Sequence, residues 1–219
     1  YPYGTQVLIS KNLSLYGGFA GVSDDETIAG RDVDANQTIL SGDGDDDDVW
    51  MHYFPLFETF AETNVTTSLR PIVGGKVNIP MNFDNTHDYY ALAHDNDNGG
   101  QKMVEVASGI TAVIDGLWLV AANFRGNGTG ALHYNSAGAG SVVRNVRFVG
   151  CYNNQHNTAA LHHGGGQKLI IDSCRFYYLR NPAGHGAAVY QGGAQEAIVN
   201  CEFVGISAAI CGSIIESRG

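Results

Sequence analysis

Basic residues, proline, methionine and tryptophan are all scarce in this chain: 12 Lys plus Arg, 5 Pro, 3 Met and 2 Trp in 219 residues. The basic residues form no cluster, so no footprint for a phosphate backbone exists and nucleic acid is excluded as an expected partner. No apolar run reaches 18 residues, which excludes a membrane-spanning helix. The few prolines and the lack of a Gly-X-Y period exclude collagen. Charged residues make up only 16% against 44% hydrophobic, which excludes intrinsic disorder and leaves enough apolar side chain for a sizeable core. The opening Tyr1-Pro2-Tyr3-Gly4 has no Met, basic region or apolar region, so a signal peptide has been removed or lies outside this sequence.

What is abundant is glycine, 29 residues, about twice the usual share. Gly and Asn recur at intervals too short for long amphipathic helices. Acidic residues are also in excess, with a net charge of −10. They are unevenly placed: residues 1–100 hold 16 acidic and 4 basic side chains, residues 101–219 hold 6 and 8.

The second half repeats. Ile114-Asp115-Gly116-Leu117-Trp118-Leu119, Val143-Arg144-Asn145-Val146-Arg147-Phe148, Ile171-Asp172-Ser173-Cys174-Arg175-Phe176 and Ile198-Val199-Asn200-Cys201-Glu202-Phe203 follow one another at 29, 28 and 27 residues. A second block keeps step with it: Ala131-Leu132-His133, Ala160-Leu161-His162, Ala188-Val189-Tyr190 and, more weakly, Ser213-Ile214-Ile215. Asn12-Leu13-Ser14-Leu15-Tyr16-Gly17-Gly18 aligns with the first block near the N-terminus. Each block is a short strand of period two between Gly/Asn/Ser turns, and one such unit cannot bury its own apolar face. Stacked so that equivalent strands pair in parallel, the units form an all-β, right-handed, single-stranded parallel β-helix of 27–29 residues per coil and five to six coils. Leu117/Val146/Cys174/Cys201 and Leu119/Phe148/Phe176/Phe203 are then inward columns. Asn12, Gly116, Asn145, Ser173 and Asn200 occupy a corner that favours left-handed backbone.

Leu15-Tyr16-Gly17-Gly18-Phe19-Ala20-Gly21, Arg31-Asp32, Thr38-Ile39-Leu40-Ser41-Gly42-Asp43 and Ala112-Val113-Ile114-Asp115-Gly116 resemble bacterial right-handed parallel β-helix proteins with polymorphic outer-membrane-protein type repeats. The resemblance covers residues 7–43 and 110–205, with degraded glycine-rich lines at Gly130-Ala131-Leu132-His133-Tyr134-Asn135 and Gly186-Ala187-Ala188-Val189-Tyr190-Gln191. It implies a secreted or surface-exposed protein and no particular reaction.

Residues 44–109 break the period and read as an excursion, between coils one and three, that packs on a solenoid face; Phe54–Phe60 reads as a short helix. The whole is one domain, 1–219, with an uncovered C-terminal strand that implies a fragment or subunit of a larger assembly.

The candidate sites follow from this register. The run Asp43, Asp45, Asp46, Asp47, Asp48, with Asp95 and Asp97, suits the oxygen-rich shell of Ca²⁺ or forms a solvated acidic loop. His133, His162, His163 and His185 fall on successive coils, as surface ladder residues or as transition-metal ligands. Asp115, Arg144 and Asp172 share one column, giving either paired acids for glycan cleavage or a ladder of alternating charge. Trp118, Arg147 and Arg175, with Glu202, form an outward column able to clamp an acidic sugar, and His133, His162 and Tyr190 form another ligand-facing column. Cys174 and Cys201 read as stacked thiols, while secretion would permit a bridge involving Cys151 or Cys211. The functional expectation is an extracellular or cell-surface structural or adhesive module that binds glycan, protein or copies of itself end to end, with a polysaccharide lyase or glycoside hydrolase as the alternative.

Overall fold

The computed structural model describes residues 6–22, 26–44, 47–56, 59–62, 70–80, 89–93, 102–124, 130–154, 157–193, 195–208 and 214–218. Apart from one short 3₁₀ turn at Ile28–Gly30, the regular elements among these are strands. Four parallel sheets wrap a common core and form a β-solenoid. The first sheet stacks Val7–Ile9, Val104–Val106, Leu132–Tyr134, Leu161–His163, Val189–Gly192 and Ile215–Arg218. The second stacks Leu13–Tyr16, Ala112–Asp115, Val142–Arg144, Leu169–Asp172 and Glu196–Val199, and the third stacks Thr38–Ser41, Leu117–Val120, Arg147–Val149, Arg175–Tyr177 and Glu202–Val204. A narrow fourth sheet joins Asn123–Phe124, Tyr152–Asn153, Arg180–Asn181 and Ser207–Ala208. Four coils therefore carry all four strands, preceded by a three-strand coil and followed by one strand of a sixth.

Stacking like on like fills the interior. Phe148, Phe176 and Phe203 lie face to face, with ring centroids 4.9 and 4.8 Å apart and interplanar angles of 4° and 6°. That separation is the strand spacing itself, so each ring sits directly over its equivalent one coil away. Leu117, Val146 and Cys174 form the neighbouring buried column, with Cys201 half-buried at its end.

The corners account for part of the glycine. Between the second and third sheets Gly116 (φ 80°), Asn145 (φ 50°), Ser173 (φ 54°) and Asn200 (φ 53°) all take left-handed backbone. In the first coil this corner is occupied by Gly17 rather than Asn12, because Leu13 pairs with Ala112 and Tyr16 with Asp115. A side chain at Gly17 would run into the carbonyl oxygen of Gly116. The strand that pairs with Leu117–Val120 is Thr38–Ser41, so the described residues 18–22 and 26–37 belong to a strap inserted at this corner. A second left-handed corner, Ala121, Gly150, Tyr178 and Gly205, closes the third sheet.

Two further expectations are corrected by pairing. Ile215 pairs with Val189 and Glu216 with Tyr190, one residue away from the alignment through Ser213-Ile214-Ile215. With period two, that slip decides which side chain faces inward, and it gives Ile215 the position of Leu132, Leu161 and Val189. Of the segment expected as a helix, the described residues 54–56 and 59–60 lie in two antiparallel strands, Val49–Leu56 and Thr59–Glu62, in which Tyr53 pairs with Glu62 and Leu56 with Thr59. Its three phenylalanines favour a pleated strand.

The excursion leaves after Thr38–Ser41, the last strand of the first coil, and rejoins at Val104–Val106, the first strand of the second, so it links consecutive coils rather than taking the place of one. Its Tyr89–Ala93 strand pairs with Val49–Leu56, and a hairpin joins Ile72–Val73 to Lys76–Val77. Trp50 and Leu92 bury themselves against Trp118, Val120, Val149, Tyr177 and Tyr178 on the outward side of the third sheet. The Trp50 indole donates to Asn78 O (2.9 Å), and Tyr178 Oη donates to Pro80 O (2.7 Å). That sheet thus has a core on both faces.

Candidate functional site

The charged columns are built by register. Asp115 pairs with Arg144 and Arg144 with Asp172, so the three side chains leave one face of the second sheet on consecutive coils. Asp115 is fully buried. Its Oδ2 lies 2.5 Å from Arg144 Nε and 2.5 Å from Arg31 Nη2, while Asn145 Nδ2 donates to Oδ1 at 3.0 Å. Burial alone would raise the Asp115 carboxyl, but the hydrogen bonds from Arg31, Arg144 and Asn145 outweigh it and hold it below the ordinary carboxylate value. Asp172, half-buried, accepts from Ser173 Oγ (3.0 Å) and Asn200 Nδ2 (3.2 Å) on its Oδ1.

Arg31 comes from the inserted strap. Its guanidinium also donates to Gly17 O and Asp115 O, and it lies over the Tyr16 ring at 5.2 Å. Sequence reasoning placed Arg31 in a motif without giving it a role, because the contact spans 84 positions.

The same strap covers the third-sheet column. Trp118, Arg147, Arg175 and Glu202 are aligned as expected. Trp118 and Arg147 are nonetheless only 5% exposed. The Trp118 indole donates to Val33 O (2.9 Å), and Arg147 lies over its ring at 6.0 Å. Asp34 takes Arg147 through both carboxylate oxygens, with Nη2 at 3.0 and 3.2 Å, and approaches Arg175 Nη1 at 3.6 Å. The carboxylate that this column clamps is the chain's own.

On the first sheet His133 pairs with His162 and His162 with Tyr190. The imidazoles stack at 4.5 Å, and Tyr190 follows at 4.8 Å. Both histidines are nearly buried, and this desolvation pushes His133 down to about 3 and His162 to about 4. Each is therefore neutral at physiological pH. His163 points the other way, into the solenoid, with Nδ1 3.3 Å from Glu196 Oε1, and His185 Nδ1 lies 3.1 Å from Glu216 Oε2. The four histidines are thus divided between a stacked outer pair and two separate carboxylate partners.

Of the acidic run, Asp45, Asp46, Asp95 and Asp97 lie outside the described residues. Asp43 uses Oδ1 and Oδ2 to accept the amides of Asp47 (3.2 Å) and Asp48 (3.3 Å), a turn in which backbone donors meet the carboxylate charge. Asp48 is buried. Among the described residues, no group of three or more His, Cys, Asp or Glu is placed to hold a metal ion. None of the described helices is long and apolar enough to cross a membrane. Cys151, Cys174 and Cys201 are free thiols, and Cys211 lies outside the described residues.

No family model matches the chain, and comparison with curated proteins and with solved structures returns no match.

Proposed function

We propose that the chain is an extracellular or cell-surface β-helix module with a structural and adhesive role: a stiff scaffold presenting its outward faces and the 44–109 excursion to a glycan, a surface protein or other copies of itself. The observation that carries this reading is how the chemically capable side chains are engaged. Asp115 is sequestered by three donors, Arg147 is closed over by Asp34, and Trp118 lies under Val33. Each of these contacts ties one coil or the strap to another, so charge that would otherwise meet a ligand strengthens the stack.

Polysaccharide cleavage by the Asp115–Arg144–Asp172 column has less support. A general acid needs a proton near working pH and access to a glycosidic oxygen, and Asp115 is held ionised and away from solvent. The proposal is tested by retention on beads coated with acidic and neutral polysaccharides or with extracellular matrix proteins, together with sedimentation across a concentration series. Retention on at least one surface, or concentration-dependent growth into rods, is the expected result; a monodisperse chain that is retained on none of them overturns it.

A further inference from the structure

Two thiols meet at one end of the core. Arg175 pairs with Glu202, which places the preceding residues, Cys174 and Cys201, side by side on adjacent coils, and Glu202 N donates to Cys174 O at 3.0 Å. Parallel strands lie about 4.8 Å apart, within the roughly 4.4–6.8 Å between Cα atoms that a disulfide spans. Both side chains face inward, and the Cys201 Sγ donates to Val199 O (3.2 Å) and approaches Ile171 O (3.7 Å). Their surroundings differ. Cys174 is fully buried and also points its Sγ at Asp172 O (3.4 Å) and Val143 O (3.6 Å), whereas Cys201 is half-buried in the last coil that has all four strands. Cys151, the other described cysteine, is fully buried and has no cysteine beside it in its column; burial lifts its thiol to about 12.

We propose that Cys201 and Cys174 form a redox-modifiable pair, in which Cys201 is the attacking thiol, Cys174 the resolving one, and a low-molecular-weight disulfide the oxidant. The Cys201 thiolate attacks one sulfur of the oxidant, forming a mixed disulfide and releasing the first small thiolate. Cys174 then gives up its proton and attacks Cys201 Sγ; the bond between the two coils forms and the second small thiolate leaves. Two protein thiols are oxidised, one disulfide is reduced to two thiols, and the two protein protons end on the leaving thiolates.

Two features favour this order. Cys174 is fully enclosed and its burial raises the thiol above the ordinary value, whereas Cys201 is half-buried and open to a small oxidant, so Cys201 reacts first. The last coil is also the one best able to close the remaining gap, since Ile198, Cys201 and Phe203 are half-buried while their equivalents Ile171, Cys174 and Phe176 are fully enclosed. The product would be a covalent rung between the last two complete coils.

The test begins with the unmodified, folded chain. A limiting amount of iodoacetamide should label Cys201 about tenfold or more faster than Cys174 or Cys151. Incubation with glutathione disulfide should lower the intact mass by two hydrogens, and a non-reduced digest should contain a peptide joining Cys174 to Cys201. Cys174→Ser should stop at a stable glutathione adduct on Cys201, and Cys201→Ala should leave Cys174 unmodified. An adduct on Cys201 that persists in the unmodified chain, a Cys201 that stays unmodified in the folded protein, or a bridge from Cys201 to Cys211 would each overturn the proposal.

Discussion

Arg31 Nη2 lies 2.5 Å from Asp115 Oδ2, joining a strap inserted in the first coil to a carboxylate buried in the second. Arg31 is 8% exposed and Asp115 not at all, so neither charge has water as a substitute partner. Arg144, on the third coil, reaches the same oxygen from the other side with 42% of its side chain exposed. One carboxylate therefore pins three coils.

The exposures set the order of the mutational effects. Arg31→Ala leaves a buried carboxylate short of a cation and should cost about 3–5 kcal/mol, whereas Arg144→Ala, whose cation is partly solvated, should cost about 1 kcal/mol or less. Urea midpoints of the two variants check the ranking; a loss at Arg31→Ala no larger than that at Arg144→Ala would contradict it.

Phe176 lies between two rings, while Phe203 has a stacked ring on one side only among the described contacts. Phe176→Ala should cost about 3–5 kcal/mol, and Phe203→Ala, in a half-buried position, distinctly less. Thermal melts of both variants decide; a larger loss at Phe203 would mean that the last coil is the better packed.

The stacked histidines give a stability that fails toward acid. His133 and His162 titrate near 3 and 4 in the folded chain against about 6.5 when unfolded, so between these values the unfolded chain holds more protons. Their contribution is complete above about pH 6.5 and falls as pH drops toward 4 and then 3. At pH 5 the loss is about 2 kcal/mol for each imidazole. Replacing both by glutamine should flatten stability between pH 7 and 5, measured by urea unfolding; an unaltered slope would assign the acid sensitivity elsewhere.

Asp43 already meets two backbone amides, so removing divalent cations should leave the melting temperature unchanged. A fall of several degrees with chelator, restored by Ca²⁺, would place a cation at the acidic run.

How far the sequence disclosed this depended on distance along the chain. The Phe148–Phe176–Phe203 stack and the Asp115–Arg144–Asp172 column follow from a local period, because each coil repeats the choice made by the one before. The first coil was misread through Asn12 because its third-sheet strand, Thr38–Ser41, is separated from the second by the strap, and periodicity does not register an insertion. Arg31–Asp115 and Asp34–Arg147 were hidden for the same reason: they are contacts made by residues that do not repeat. One available signal was the unbroken apolar run Leu117–Ala122, since a strand apolar on both faces marks a sheet covered on both sides, which here is the work of Trp50 and Leu92.

The central proposal is that the charged columns serve to hold coils together rather than to cleave polysaccharide. Its most direct measurement follows chain scission in a panel of acidic and neutral polysaccharides, by new reducing ends and by the absorbance of unsaturated uronides, with the unmodified chain and Asp172→Asn side by side. The account predicts no scission by either protein. Scission by the unmodified chain that disappears in Asp172→Asn while its melting temperature is preserved would contradict it.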